Sequence, residues 1–287
     1  MPDIPRRSNP AADVVSRVDR QLTGAQGNAE TVSCGFPSLD RILGGGFRRR
    51  DLIVLGGDVG VGKSSFALAV ALRVAERGER AVVVSGEMDE ARLWERALGI
   101  ESRTRVDDIR RGKLSDERRA ALGAAAVRLR DRPLIFVPTS ADSFDEVAAR
   151  INAAGAPLTV VDYLQLLPPR RAARDLAEET AAAVRRLKEV ALEADTALLV
   201  VAQLPRHNPK RRDPRPSLDD FGALGAVKYH ADVVLGLYRE EMYQTTRGVE
   251  GATELIVAKN RHGATGFVDL YFYQDWMRFE DMVDPDR

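Results

Sequence analysis

Apolar residues in this chain fall into short unbroken runs separated by stretches of helical spacing. Leu52–Leu55, Ala81–Ser85, Leu134–Val137, Leu158–Asp162 and Ala197–Ala202 are rich in Val, Leu, Ile and Ala with no regular polar alternation. Runs of that kind belong to strands covered on both faces, as in a mostly parallel sheet. Between them, Ser65–Arg77, Asp116–Arg130, Phe144–Asn152 and Glu178–Glu193 repeat their apolar residues at the helical period. After Asp232 the pattern changes. Val233–Tyr238, Thr253–Ala258 and Phe267–Tyr273 are strand-like and joined by short links. This predicts antiparallel strands that extend one side of the sheet. The expected fold class is α/β, with a mostly parallel central sheet, helices on both faces and antiparallel C-terminal strands.

Residues 1–30 break this rhythm, being rich in Pro, Gly, Asn and Ala. Val14, Val15, Val18 and Leu22 share one face of a short helix, but so small a stripe cannot fold alone. The segment is either a flexible arm or a strip that packs on a neighbouring subunit, and residues 31–283 form the folded domain. At 287 residues and 44% hydrophobic, the chain suits one α/β unit with a tail. Its 43 basic and 43 acidic residues cancel, so contact with nucleic acid must come from local patches. The single cysteine, Cys34, excludes an internal disulfide framework and a cysteine metal cage, and suits a reducing compartment. No stretch approaches the ~20 apolar residues of a membrane span, and the N-terminus lacks the apolar core of a secretory signal. A cytoplasmic protein with no membrane partner is expected.

Candidate chemistry centres on residues 57–64, Gly57-Asp58-Val59-Gly60-Val61-Gly62-Lys63-Ser64, a complete G-x-x-x-x-G-K-[ST] loop followed by Ser65. A strand precedes it and a helix follows, so backbone N–H groups and the helix dipole converge on one anion. The glycines let the backbone approach phosphates, Lys63 reaches the β- and γ-phosphates, and Ser64 ligates magnesium. The chain is therefore expected to bind a nucleoside triphosphate.

Such a site needs a second acid for the metal, and Asp162, at the tip of a buried strand, is placed to be it. Tyr163 follows, so a base for the attacking water must come from another strand end. Glu87 in Ser85-Gly86-Glu87-Met88 is the candidate; by spacing alone it equally begins the next helix. Gln203 ends another buried strand, where an amide can sense a γ-phosphate or serve as an ordinary turn residue. Lys259 and Arg261, in Lys259-Asn260-Arg261-His262-Gly263, are either solvated surface or cations presented to a neighbouring subunit's nucleotide. His207, His230 and His262 are scattered and give no metal site beyond magnesium.

Several stretches carry a family resemblance. Gly35-Phe36-Pro37-Ser38-Leu39-Asp40 followed by Leu43-Gly44-Gly45-Gly46-Phe47 is similar to the lead-in of RecA-type ATPase domains. Ser85-Gly86-Glu87-Met88, Val161-Asp162-Tyr163-Leu164-Gln165-Leu166, Ala202-Gln203-Leu204, Ala231–Arg239 and Lys259–Gly266 resemble, in order, motifs of the C-terminal motor domain of DnaB-type replicative helicases. The resemblance runs from about Thr31 to Phe279. It implies a RecA-like P-loop NTPase, a homo-hexameric ring, ATP and Mg2+ used between subunits, movement on single-stranded DNA, and contacts with replication or loader proteins. It also implies roles: Lys63 and Ser64 on phosphate and magnesium, Asp162 on magnesium, Glu87 as base, Gln203 in coupling, and Arg261 as a finger on the neighbour's γ-phosphate, assisted by Lys259.

Two basic segments follow strands whose ends meet the phosphate loop. Arg170, Arg171 and Arg174 come after the Asp162 strand; Arg206, Lys210, Arg211, Arg212 and Arg215 come after the Gln203 strand. Either they are solvated, flexible basic loops, or in a ring they would face the channel and grip DNA phosphates without sequence preference. Three departures from the family stand out. Residues 1–30 leave no room for its N-terminal helical domain. Leu224 and Lys228 stand where it commonly carries serine and glutamate. Pro205-Arg206-His207-Asn208-Pro209 follows Gln203 where it often has a polar residue before the arginine. These departures leave a second expectation, a regulatory or assembly ATPase closer in use to KaiC-like or RadA-like relatives, which hydrolyses ATP without unwinding DNA.

Overall fold

The computed structural model describes residues 30–139, 143–162, 164, 176–204, 211–222, 225–243 and 249–282, with backbone alone for 176 and 177. The arm of residues 1–29 and the residues Tyr163, Arg170, Arg171, Arg174, Arg206, His207, Lys210 and Leu224 lie outside the described residues. A short ribbon of β1 (Thr31–Val32) and β2 (Phe47–Arg48) brackets helix Pro37–Ile42. Next come β3 (Leu52–Gly57), helix Lys63–Glu76, β4 (Ala81–Ser85), helices Glu90–Ser102, Val106–Arg111 and Asp116–Arg130, and β5 (Leu134–Pro138). Helix Phe144–Ala154, β6 (Leu158–Asp162), helix Leu176–Glu193 and β7 (Ala197–Gln203) follow. Helix Ala226–His230 then leads to β8 (Val233–Arg239), β9 (Ala252–Asn260), β10 (Gly266–Tyr273) and β11 (Arg278–Asp281).

One sheet takes the order β11-β10-β9-β8-β3-β7-β6-β4-β5. From β8 to β5 every neighbouring pair is parallel; β9, β10 and β11 add on antiparallel, as the change of pattern after Asp232 predicts. Burial explains the difference. Every residue of β3 is buried, with Ile53 and Leu55 in one core cluster and Leu52 and Val54 in the other, so both faces are covered. Along β10 buried positions alternate with exposed ones, the mark of a strand wet on one face.

Each face carries its own helices. Phe144–Ala154 and Leu176–Glu193 pack on the face of Leu52 and Val54. The first of these opens on a reciprocal cap, Ser143 with Glu146, and stops at Gly155 in the left-handed region, φ +53°. Helix Lys63–Glu76 lies on the other face and is buried from Ser65 to Leu72 and again at Val74 and Ala75. The curl of the last strands covers its far side. The Phe66 ring stacks on Phe36 at 4.9 Å and meets Phe279 of β11 edge-on at 5.6 Å. Arg73 ties the layers together, donating to the carbonyls of Gly35 at 2.7 Å and Phe279 at 2.8 Å.

Candidate active site

Strand register assembles the site. Gly57 at the end of β3 pairs with Gln203 at the end of β7, and Ser85 at the end of β4 pairs with Asp162 at the end of β6. The phosphate loop, Glu87, Asp162 and Gln203 therefore leave the same edge of the parallel sheet, where open α/β sheets take their ligands. They line a cavity of about 550 Å³ together with Val59, Gly60, Gly62, Lys63, Ser64 and Ser65. Gly62 has φ +106°, and a Cβ there would stand 2.9 Å from Phe279 Cζ, so both backbone conformation and space demand glycine. Val61 is buried beneath the loop. Asp58 orders its outer turn by accepting from the backbone N–H of Val59 at 2.7 Å and from the Tyr243 hydroxyl at 3.3 Å. Burial, with Asp58 alongside, pushes the Tyr243 phenol up to about 12, which keeps it a donor.

A cation and an acid in the cavity are held in poised states. The Lys63 ammonium donates to the carbonyls of Gly57 and Asp58 at 2.9 and 2.8 Å, so it rests on its own loop. Burial lowers its pKa, opposed by the charges of Asp58, Asp162 and Glu87. Asp162 is 4% exposed, and burial raises its carboxyl above the usual range while the Ser64 hydroxyl, donating to Oδ1 at 3.2 Å, works against that. Two hard oxygens so placed fit an octahedral magnesium that keeps most of its water ligands. Glu87 is exposed at the rim, after a turn in which the Gly86 N–H donates to Asp162 O at 3.0 Å and the Met88 N–H to Ser85 Oγ at 3.0 Å.

Several residues that line the cavity are not evident from the sequence. Arg96, on helix Glu90–Ser102, reaches the cavity, and its charge lowers the Asp162 pKa. The helix was signalled by its N-cap: Asp89 Oδ1 accepts the Arg92 N–H at 2.9 Å. Arg239, Phe272, Gln274 and Met277 close the side away from the acids. Arg239 is nearly buried, pairs with Glu241, and lies 4.7 Å over the Phe272 ring.

Arg261 and Lys259 are elsewhere. Lys259 lies near the end of β9 and Arg261 just beyond it, and Asn260 pairs with Val233 at the start of β8. Arg261 thus sits beside Leu52 and Asp232, five strand residues or about 17 Å from Gly57 along β3. Its Nε is 3.0 Å from Asp232 Oδ1 and its Nη2 donates to Tyr229 O at 3.1 Å. Lys259 Nζ donates to the carbonyls of Lys228 and Ala231 at 2.7 and 2.6 Å.

Comparison with known proteins bears on this geometry. The profile of the DnaB-like helicase C terminal domain matches residues 31–281. The chain belongs to that family. It is 30% identical over 268 residues to the replicative DNA helicase DnaC of Bacillus subtilis (strain 168), covering 91% of this chain and 59% of that protein. It is also 30% identical over 267 residues to the replicative DNA helicase DnaB of Geobacillus stearothermophilus, with the same coverages of 91% and 59%. The chain therefore spans about 59% of the length of these relatives. Among solved structures it resembles an ATPase domain, with a TM-score of 0.88 at 25% identity over 96% of this chain and 100% of the other. It also resembles a DnaB-like replicative helicase studied with regard to its interactions with primase: TM-score 0.85, 25% identity, 94% of this chain and 66% of the other. The fold is RecA-like.

Within this DnaB-like domain the described loop arginines divide. Arg211 grips Asp220 through Nη1 at 2.6 and 2.7 Å. Arg215 grips Glu254, with Nε to Oε2 at 2.7 Å, and lies 4.9 Å over the Tyr238 ring. Arg212 is exposed and makes no ion pair among the described residues. Lys228, one of the departures from the family pattern, is half-exposed and 3.4 Å from Asp219. No described helix is long and apolar enough to cross a membrane.

Proposed function

We propose that the chain is the motor domain of an ATP-dependent DNA helicase or translocase of the DnaB type, which hydrolyses ATP between the subunits of a six-membered ring and moves on single-stranded DNA. One observation carries this reading. Lys63, Ser64, Glu87, Asp162 and Gln203 meet at one cavity, whereas Arg261 lies at the opposite end of the same sheet and cannot reach its own loop. The arginine that the resemblance casts as a finger is thus out of reach of its own loop, and a ring would supply it to the neighbour.

In this mechanism the N–H groups of the loop and Lys63 hold the β- and γ-phosphates, Lys63 exchanging its carbonyl partners for phosphate oxygens. Ser64 and Asp162 would hold magnesium, which when bound supplies charge neutralisation on the phosphates. Glu87 orients the attacking water and accepts its proton, and Gln203 contacts the γ-phosphate and registers its loss. Arg96 adds positive charge beside Asp162, and Arg261 of the neighbour, steadied by Lys259, stabilises the transferring phosphoryl group. DNA phosphates are met by Arg170, Arg171, Arg174, Arg206, Lys210 and Arg212. Arg211 and Arg215 shape the segment that carries Arg212 and reach DNA only by giving up Asp220 and Glu254.

ATP turnover with and without single-stranded DNA, followed by strand displacement on a forked duplex, tests the reading. A DNA-stimulated ATPase that opens the fork is expected. An ATPase that ignores DNA and leaves the fork closed belongs to a regulatory or assembly protein, and overturns it.

A further inference from the structure

Among the described residues, a group of buried charges outside the phosphate site lies under Arg261. Asp232 is 2% exposed, and both of its carboxylate oxygens have partners. Oδ2 accepts from Lys188 Nζ at 2.6 Å and from the Leu52 N–H at 2.9 Å, and Oδ1 faces Arg261 Nε at 3.0 Å. The backbone repeats the clamp: the Arg261 N–H donates to Asp232 O at 2.8 Å and the Asp232 N–H to Leu52 O at 2.9 Å. Asp51 and His262 flank the group, 3.3 Å apart. With Asp232 they bring three potential ligand atoms within 4.8 Å of one another. A divalent ion there would have to displace two cations that already neutralise Asp232, so the cluster is built to hold those cations.

What is held is one edge of the Arg261 guanidinium. Nε is fixed by Asp232 and Nη2 by Tyr229 O, while Nη1 has no partner among the described residues and the side chain is 47% exposed. A guanidinium restrained on one edge and open on the other is pre-aimed, and pre-aiming is what makes charge stabilisation effective in a transition state. The anchors are not local. Leu52 begins β3, Lys188 comes from helix Leu176–Glu193 and Tyr229 from helix Ala226–His230, so three separate elements set the angle of the arginine.

We propose that Asp232 is the positioning residue of the Arg261 finger, holding it against β3 and Lys188 so that it meets the neighbouring subunit's γ-phosphate at a fixed angle. This rests on the trans role of Arg261 given above. Asp232 touches no nucleotide; its effect passes through Arg261 alone and is felt in the next subunit.

The test uses mixed rings of the full chain. Asp232→Asn keeps the shape and removes the charge. Expected are a fall in kcat of about thirtyfold, a KM for ATP within about twofold of the parent, and no further loss when it is combined with Arg261→Ala. The defect should be complemented. Mixed with Lys63→Ala, whose loop is dead but whose finger is whole, Asp232→Asn subunits should regain activity wherever their intact loops face an intact finger. Lys188→Gln, which leaves the carboxylate but removes one anchor, should lose about threefold and be complemented in the same way; it serves if Asp232→Asn does not fold. An Arg261→Ala with Lys63→Ala mixture runs in parallel. If that control recovers and the Asp232 and Lys188 variants do not, their defects lie in their own subunits and the positioning role is refuted. If the control itself stays inactive although the variants co-assemble, the trans finger falls, and the positioning role falls with it.

Discussion

The two ends of β3 and β8 solve opposite problems with the same kinds of side chain. At the Gly57 end, charges rest on provisional partners: Lys63 on its own loop carbonyls, Asp162 on a single serine hydroxyl, all around an open cavity. At the Leu52 end charges are committed. Asp232 is closed by Lys188, Arg261 and a backbone N–H. The difference separates a place built to be filled from a place built to hold a group still. Provisional bonds of this kind are easily exchanged for stronger ones, such as those to a phosphate or a metal, whereas a buried carboxylate robbed of one partner is costly.

Pressing on each end should give distinct results. Arg261→Ala should bind ATP as the parent does and lose on the order of a thousandfold in turnover, measured under saturating ATP. Arg261→Lys should recover only part of it, because an ammonium lacks the planar fork. Glu87→Gln at the open end should lose roughly a hundredfold in kcat with nucleotide affinity intact, seen by equilibrium binding of a fluorescent analogue. Near-parental turnover in that variant would place the base elsewhere. Between the loop arginines the contrast reverses. Arg215→Ala should cost about 1 kcal/mol in urea unfolding, because the Glu254 pair is partly solvated. Arg212→Ala should leave stability untouched and reduce the salt slope of DNA binding by about one.

The smallest expected effect is a pH dependence at the closed end. Burial and the charge of Asp232 raise the Asp51 pKa, against the opposing pull of His262 and Lys188. A carboxyl raised in the folded state favours folding at low pH and loses that contribution as pH climbs through its folded value. Asp51→Asn should therefore melt above the parent at pH 8, with the gap closing as pH falls toward 4. Thermal melts across that range decide it, and a gap that widens on acidification would reverse the sign.

The parallel strands were legible because burial on both faces leaves unbroken apolar runs, and the phosphate loop because its geometry tolerates few residue types. What was not legible depends on docking. Arg92 and Arg96 share one helix, and nothing local says that only Arg96 faces the cavity. Arg211, Arg212 and Arg215 look alike in sequence, yet Arg215 is tied down by Glu254, 39 residues away on β9. That pairing, like that of Arg261 with Asp232, needs the β8–β9 register, which a bulge between Val234 and Leu235 shifts. Strand β11 is not legible in the sequence, because four residues with one buried side chain carry no pattern of their own.

That last strand has a consequence for how the protein is made. Phe279 forms the wall behind Gly62, so the phosphate loop leans on a residue more than 200 positions downstream. A ribosome delivers the loop early in the domain and its backing late. At synthesis rates of ~5–20 residues per second, the nascent loop waits on the order of ten seconds or more for its support. The loop therefore gains its backing only as synthesis of the domain nears its end, and a half-made chain carries residues 57–64 without the wall that Phe279 provides.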